Sequence, residues 1–376
     1  MKKLKILMIM DDRNFGGGET HLVTLSKQLL KHGITPVVVS NGGLYEAVFK
    51  EKGIKHFHTP LKNKRPLNAI RIVKMIKEII KNEDIDIVHA HGRMPAFLGN
   101  LACKMTKTPF MTTAHAKVNN RFPYNILSVW GKEIIAVSED IKTHLINVFN
   151  IDEKTITVIG NGIDLEIFKE APREMAIEQE LNLKPDSTRV VCISRIDGRL
   201  GELAIDLAKI VGKASGPKPV EAIIVGTGDK YEELVECVNS LPTDQQSRIH
   251  VLGRRSDVNK ILTVADVAIA VSRSGIEAMA SGKPVLIAGG EGYFGLLSLD
   301  NFDAAQEDFF TARNSAELYT ADRFEKDLWT LIGSYDSQEV SEVVGHLKRV
   351  IEECYSLDGV TKQTIKVYER LLKGMN

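Results

Sequence analysis

Four segments of this 376-residue chain bring cationic side chains or glycine turns to one kind of place, the end of an expected strand: Arg195-Ile196-Asp197-Gly198-Arg199, Gly226-Thr227-Gly228, Gly253-Arg254-Arg255 and Ser272-Arg273-Ser274-Gly275. Guanidinium forks and exposed backbone N–H groups hold polyanions, and a diphosphate is the economical ligand. Any one of these arginines reads as a surface charge; four strand ends that agree argue for a site. Near the start, Gly16-Gly17-Gly18 precedes a helical pattern, where backbone can approach a ligand closely and a helix start favours an anion. The spacing is not G-x-G-x-x-G, and Ser40-Asn41-Gly42-Gly43 replaces the acidic residue that would end a second strand. Both features count against a dinucleotide dehydrogenase. His115 closes Thr112-Thr113-Ala114-His115 at a strand end, which is either a core position or one aimed at a ligand. His89 and His91 are two apart and share a strand face, but a metal pair would lack a third ligand. Asp84-Ile85-Asp86 imitates a metal-binding pair yet precedes a strand, so it reads as a solvated strand start.

These residues need a scaffold that places strand ends together. Short apolar runs alternate with helical patterns, as in parallel strands joined by crossover helices. In the first half strands are expected at Lys5–Met10, Thr35–Val39, Ile85–Ala90, Phe110–Thr113, Glu133–Val137 and Thr155–Ile159. Helices are expected over Thr20–Lys31 and over 67–81, the latter with Leu67, Ile70, Val73, Ile76 and Ile80 on one face. The second half repeats the scheme with strands Val190–Ser194, Ala222–Val225, His250–Leu252, Val267–Val271 and Pro284–Ile287. Helical patterns separate them at Glu202–Val211, Lys230–Ser240, Val258–Thr263 and Ile276–Ala280, and the last ~25 residues read as one long helix. The fold class is therefore α/β, two doubly wound Rossmann-like domains, with ligands expected at the carboxyl ends of the strands facing a cleft. The polar segment Glu166–Ser187 is the expected divide.

Length supports two domains of ordinary size. Forty-nine Lys plus Arg against 49 Asp plus Glu give no argument for nucleic acid. The four cysteines are scattered without a CxxC pair, against a disulfide scaffold or a structural zinc, and fit a reducing compartment. The apolar start meets Asp11-Asp12-Arg13 too soon for an export signal, and no run approaches the ~20 apolar residues of a membrane span. A cytoplasmic protein is expected. Residues 50–81 carry ten Lys/Arg against two acids, and residues 291–345 carry twelve acids against three bases. These read either as solvated faces or, for the basic stretch with Lys62, Lys64 and Arg65, as a contact for an anionic membrane or acceptor.

Taken in order, Gly-Gly-Gly-Glu (16–19), Ile-Val-His-Ala-His-Gly (87–92), Thr-Ala-His (113–115), Ala-Val-Ser-Glu (136–139), Gly-Asn-Gly-Ile-Asp (160–164), Ser-Arg-Ile (194–196), Val-Gly-Thr-Gly (225–228) and Glu-Ala-Met-Ala-Ser-Gly-Lys-Pro-Val (277–285) resemble the family-4 retaining glycosyltransferases. The resemblance implies the GT-B fold, with residues 1–168 as the acceptor-side domain completed by a helix 357–376, and 169–356 as the donor domain. It implies sugar transfer from a nucleotide-diphospho donor, a UDP-sugar on base rates, with retention at the anomeric carbon and no metal or other cofactor. The acceptor would be a glycan, a lipid-linked sugar or a small molecule, with peripheral contact at the inner face of a membrane. By resemblance, Arg195 and Arg199 would hold the diphosphate, with Gly16, Gly17 and Gly18 meeting it from the other domain and Gly226, Gly228 and Ser274 lining the phosphate site. His115 would contact the donor sugar or reaction centre, Glu277 would accept from the donor ribose, and Gly253-Arg254 would meet the base edge.

The chain also departs from the pattern. The usual first glutamate, eight positions before Glu277, would fall on Ile269 inside a strand, and the stretch from Asp266 to Glu277 is short. Glu291, in Gly289-Gly290-Glu291-Gly292, could fill that vacancy or belong to an ordinary loop. An inactive nucleotide-sugar binding protein and a GT-B epimerase are the alternative readings.

Overall fold

The computed structural model describes residues 3–11, 17–42, 45–61, 66–122 and 124–374. Gly16, Lys62, Lys64 and Arg65 lie outside them. The chain divides into two compact units, Met1–Gly162 with Leu357–Asn376, and Ile163–Ser356. The division falls ahead of the Glu166–Ser187 segment, which belongs wholly to the second unit and contains the helix Met175–Glu180.

The first unit carries seven strands, β1 (Lys5–Met10), β2 (Thr35–Ser40), β3 (Lys55–His58), β4 (Ile87–His91), β5 (Phe110–Ala114), β6 (Glu133–Ala136) and β7 (Ile156–Val158). All neighbours pair in parallel in the order β3-β2-β1-β4-β5-β6-β7. The order reverses between β1 and β4, so their carboxyl ends frame the crevice that such sheets use for ligands. Strands β1, β2, β4 and β5 are buried on both faces because helices cover both, and β4 and β5 carry the buried polar side chains His89, His91, Thr112 and Thr113 among their apolar ones. Strand β3 escapes a pattern search because Lys-His-Phe-His sits at the sheet edge, half exposed.

The helix Pro66–Asn82 corrects the expected apolar face: Ile72, Ile76, Ile79 and Ile80 are buried, while Leu67 and Ile70 are 82% and 67% exposed. With Ile and Leu on several sides, the spacing of three and four admitted two faces, and packing on the sheet selected one.

The terminal pattern is also corrected, because the chain breaks at Ser356 between the helices Gln338–Tyr355 and Leu357–Lys373. The second of these joins the first unit. Its Val360, Val367, Tyr368 and Leu371 pack with Leu22, Leu25 and Leu29 of the helix Gly17–Lys31, each such side chain contributing about 1.5–3 kcal/mol of burial. Gly162 allows the close passage, since a methyl there would lie 3.0 Å from the Leu357 Cα. Arg370 clamps the helix to the last two strands of the sheet, donating to both Glu133 oxygens on β6, Nε at 2.8 Å and Nη2 at 2.5 Å, and to Thr157 Oγ1 on β7 at 2.7 Å.

The second unit holds β8 (Thr188–Ile193), β9 (Val220–Val225), β10 (Ile249–Gly253), β11 (Val267–Ala270), β12 (Val285–Ala288) and β13 (Tyr293–Leu296) in the order β10-β9-β8-β11-β12-β13. It is parallel except for β13, which pairs antiparallel with β12. Strand β13 replaces the expected loop: Gly289-Gly290-Glu291-Gly292 is a hairpin turn closed by the Gly289 N–H donating to the Gly292 carbonyl at 2.9 Å. The order reverses between β8 and β11. All four cysteines are free.

Candidate active site

At the first unit's reversal point four imidazoles gather. His89 and His91 come from β4, His115 follows β5, and His21 comes from the helix Gly17–Lys31. His91 Nδ1 lies 3.0 Å from His115 Nε2, with the rings stacked at 5.3 Å. The His21 ring is 5.5 Å from that of His115 and 6.0 Å from that of His91. Burial pushes His115 down to about 4, His89 to about 3 and His91 well below the ordinary imidazole value, so these three rings are neutral at physiological pH. Two neutral rings joined nitrogen to nitrogen share one proton, so His91 sets which tautomer His115 presents. His115 Nδ1 and His91 Nε2 are buried with no hydrogen-bond partner among the described residues.

His89 has a different task. Its Nδ1 lies 2.9 Å from the Tyr368 hydroxyl and its Nε2 2.7 Å from Thr113 Oγ1. Both nitrogens are used, and the ring ties the C-terminal helix to the sheet. Among the described residues no group of three or more His, Cys, Asp or Glu is placed to hold a metal ion. His21 was not singled out from sequence; its signal is that it lies one turn ahead of the buried Leu25 and shares that stripe. Gly17 and Gly18 fall in the first turn of the same helix.

In the second unit the loops after β8 and β9 are laced together. Ile196 N–H donates to the Thr227 carbonyl at 3.1 Å, Lys230 N–H to the Ile196 carbonyl at 2.9 Å, and Asp229 N–H to Asp197 Oδ1 at 2.8 Å. This explains the glycines. A methyl on Gly226 would lie 1.8 Å from the Ser194 carbonyl oxygen, and one on Gly228 would lie 2.1 Å from Asp197 Oδ1. The Gly226 N–H already donates to the Gly253 carbonyl at 2.8 Å. Gly226 therefore packs the site's frame, and its N–H is engaged within that frame. Gly253 itself adopts a left-handed φ of +64° to turn the chain out of β10.

Arg195, whose side chain is 72% exposed, stands on this laced loop, and among the described residues its one ion-pair partner is Asp197 at 3.5 Å. Such a loose exposed pair holds its guanidinium weakly, which leaves it ready to turn onto an anion. Arg199 lies in the first turn of the helix Gly198–Gly212, and Arg254 is exposed beyond β10. The Ser274 hydroxyl is taken up by backbone, donating to the Ile193 carbonyl at 2.9 Å or the Val271 carbonyl at 2.8 Å. It laces the end of β8 to the start of the helix Arg273–Ala280 and is not presented to a ligand. Glu277 is 9% exposed on that helix, and Arg273 Nε donates to its Oε1 at 2.7 Å. Burial raises the Glu277 carboxyl while Arg273 opposes the rise. Arg273 is the partner the sequence did not disclose. Glu291 sits exposed at the tip of the β12–β13 turn.

The chain matches two family models, Glycosyltransferase Family 4 over residues 15–167 and Glycosyl transferases group 1 over residues 187–299. It is 23% identical over 264 residues to the Escherichia coli UDP-Gal:alpha-D-GlcNAc-diphosphoundecaprenol alpha-1,3-galactosyltransferase, covering 64% of this chain and 67% of that one. A solved glycosyltransferase from Rickettsia africae ESF-5 superposes with a TM-score of 0.82 at 23% identity, covering 99% of this chain and 100% of the other. Anabaena HepE in complex with UDP and glucose superposes at 0.75 with 19% identity, covering 98% and 100%. Two matched models, arranged over two reversing Rossmann-like sheets, agree with the segments first seen in the sequence: the chain belongs to the family-4 glycosyltransferases of GT-B fold.

Proposed function

We propose that the protein transfers a sugar from a UDP-linked donor to a lipid-linked, anionic acceptor, with retention at the anomeric carbon and without a metal or other cofactor. The observation that carries the reading is the placement of Arg195, Arg199 and the buried Glu277 on the loop and helices that follow β8 and β11, the strands that flank the second unit's reversal point. As the glycosidic bond breaks, negative charge grows on the departing diphosphate. Arg195 and Arg199 stabilise it, and the rigid loop beneath them avoids reorganisation at that moment. Glu277 accepts from the ribose, while the neutral His115 offers a hydrogen bond, not a charge, at the sugar. UDP as the nucleotude part is supported by HepE, solved with UDP, and by the galactosyltransferase relative, which is named for UDP-Gal.

Thermal unfolding in the presence of UDP, GDP, ADP and their sugar esters tests the donor. UDP at about a hundred times its Kd adds about 2.7 kcal/mol, and raises the midpoint by about 5–10 °C for a unit of this size. No shift with any diphosphate would remove the donor reading, and an inverted product anomer by NMR would remove retention.

The acceptor side rests on a stripe of the helix Pro66–Asn82 where Leu67, Ile70, Arg71 and Lys74 are all exposed. Apolar side chains beside cations suit an anionic lipid surface, and the galactosyltransferase relative is named for a diphosphoundecaprenol acceptor. No helix among the described residues is long and apolar enough to cross a membrane. Replacing Leu67 and Ile70 together by serine is expected to weaken partitioning onto phosphatidylglycerol vesicles, read by co-sedimentation, by about 100-fold or more, given the ~1.5–3 kcal/mol that each full burial supplies. Equal binding by the variant would place the lipid contact elsewhere.

A further inference from the structure

The short stretch ahead of Glu277 is rebuilt around an arginine. Ser272, which precedes the helix Arg273–Ala280, has φ 54° and ψ −126°, a conformation that favours glycine. Its N–H donates to the Phe310 carbonyl at 2.7 Å, and Phe309, Phe310 and Ala312 also have positive φ. Four of the eight non-glycine residues with positive φ among those described therefore meet behind this one turn. The patch is held from below: a methyl on Gly289 would lie 1.8 Å from the Thr311 carbonyl oxygen, and the buried Asp308 takes the N–H groups of Thr311 and Asn314 at 2.9 Å each. Backbone strain of this kind persists where the surroundings over-determine it, and it gathers at functional sites.

The result of the turn is the placement of Arg273. Its side chain and that of Glu277, one helical turn on, are 14% and 12% exposed, with Nε 2.7 Å from Oε1. The strands on either side, β11 and β12, present only Val, Ala, Ile and Leu. The helix Gln338–Tyr355 packs with this helix through Leu347, Ile351 and Tyr355, the last a phenol whose ionisation burial suppresses. Arg273 is the one charged group found acting on Glu277 among the described residues. An isolated carboxylate at such a site would take a proton, and the neutral acid accepts a hydrogen bond from a ribose hydroxyl much more weakly than the anion does.

Building on the reading of Glu277 as the acceptor for the donor ribose, we propose that Arg273 is a positioning residue of the donor site, holding Glu277 as an oriented carboxylate. It opens the helix that carries Glu277, four positions beyond Ile269, where the first glutamate of the resembling pattern would fall.

The test uses the full chain labelled with carboxyl-13C glutamate, the Glu277 signal being identified by its loss in Glu277→Gln. Arg273→Gln should raise the Glu277 titration midpoint by at least about one pH unit and weaken UDP binding at pH 7 by about tenfold or more. The loss should shrink as the pH is raised past the new midpoint, because the carboxylate then returns. Arg273→Lys keeps a cation and should recover most of the affinity, and it remains informative if the glutamine variant unfolds. The double variant should bind UDP no more weakly than Glu277→Gln alone. An unmoved midpoint, or UDP losses that add in the double variant, would reduce the pair to a helix staple and overturn the proposal. Failure of the wild-type chain to bind UDP while the midpoint moves would instead remove the donor reading and, with it, the role given to Arg273.

Discussion

His115→Ala is expected to lower sugar transfer by at least about 100-fold while leaving the unfolding midpoint within a few degrees of wild type. His115 is only partly buried and lies beyond the end of β5, outside the sheet ladder, so its loss removes a neutral imidazole and little packing. Its neighbours make the expectation sharper. His91 is fully enclosed and shares its single inter-ring proton with His115. His91→Asn, which keeps a polar group in the strand, should therefore reproduce part of the loss through the wrong tautomer. Because burial holds His115 near 4, its removal should not create or erase an inflection in the rate between pH 6 and 8. Near-normal turnover by His115→Ala would remove the imidazole cluster from the mechanism and leave it a packing feature.

Gly226→Ala is expected to destabilise the second unit by about 3 kcal/mol or more, at the upper end of single substitutions, lowering its midpoint by about 6–12 °C. The added methyl would meet the Ser194 carbonyl oxygen at 1.8 Å with φ at +144°, so either the loop after β8 or the turn after β9 must move. Moving the first displaces Arg195, and UDP affinity should fall along with stability. A melt superposable on wild type would mean that the two loops part easily and that the lacing described above does not hold Arg195 in place. A similar change at Gly290, where a methyl meets nothing within 4 Å, should be tolerated. The contrast separates glycines that the fold needs from those that only punctuate a turn.

Much of the scaffold was legible because it is encoded locally. The apolar runs of β1, β4, β5, β8, β9 and β11 alternate with helical periods, and that alternation alone implies parallel sheets whose carboxyl ends carry the ligands. His115 and Arg195 could be named as candidates because they stand just beyond strands, and Arg199 and Glu277 took their proposed roles from the family resemblance. Local pattern failed where exposure or antiparallel pairing broke the rule: β3 is a polar edge strand, and β13 returns across a glycine turn that imitates a loop. The helix face in Pro66–Asn82 was misjudged because isoleucines and leucines on several sides satisfied the same spacing.

Sequence by itself therefore determined the class of fold, the likeness to family-4 glycosyltransferases and the set of residues that could meet a donor, all of which depend on periodicity and order along the chain. Tertiary structure decided what each residue does there, because that depends on partners distant in sequence or on space no pattern records. Tyr368 reaches His89 across 279 positions, and Ser274 is tied to Ile193 across 81. Gly226 is required by a carbonyl of another strand's loop. Arg273 and Glu277 are only four residues apart, yet their pairing depends on a strained turn held by Phe310 and its neighbours. A buried carboxylate needs a counter-ion and a close approach needs a missing side chain, and only packing determines where each requirement falls.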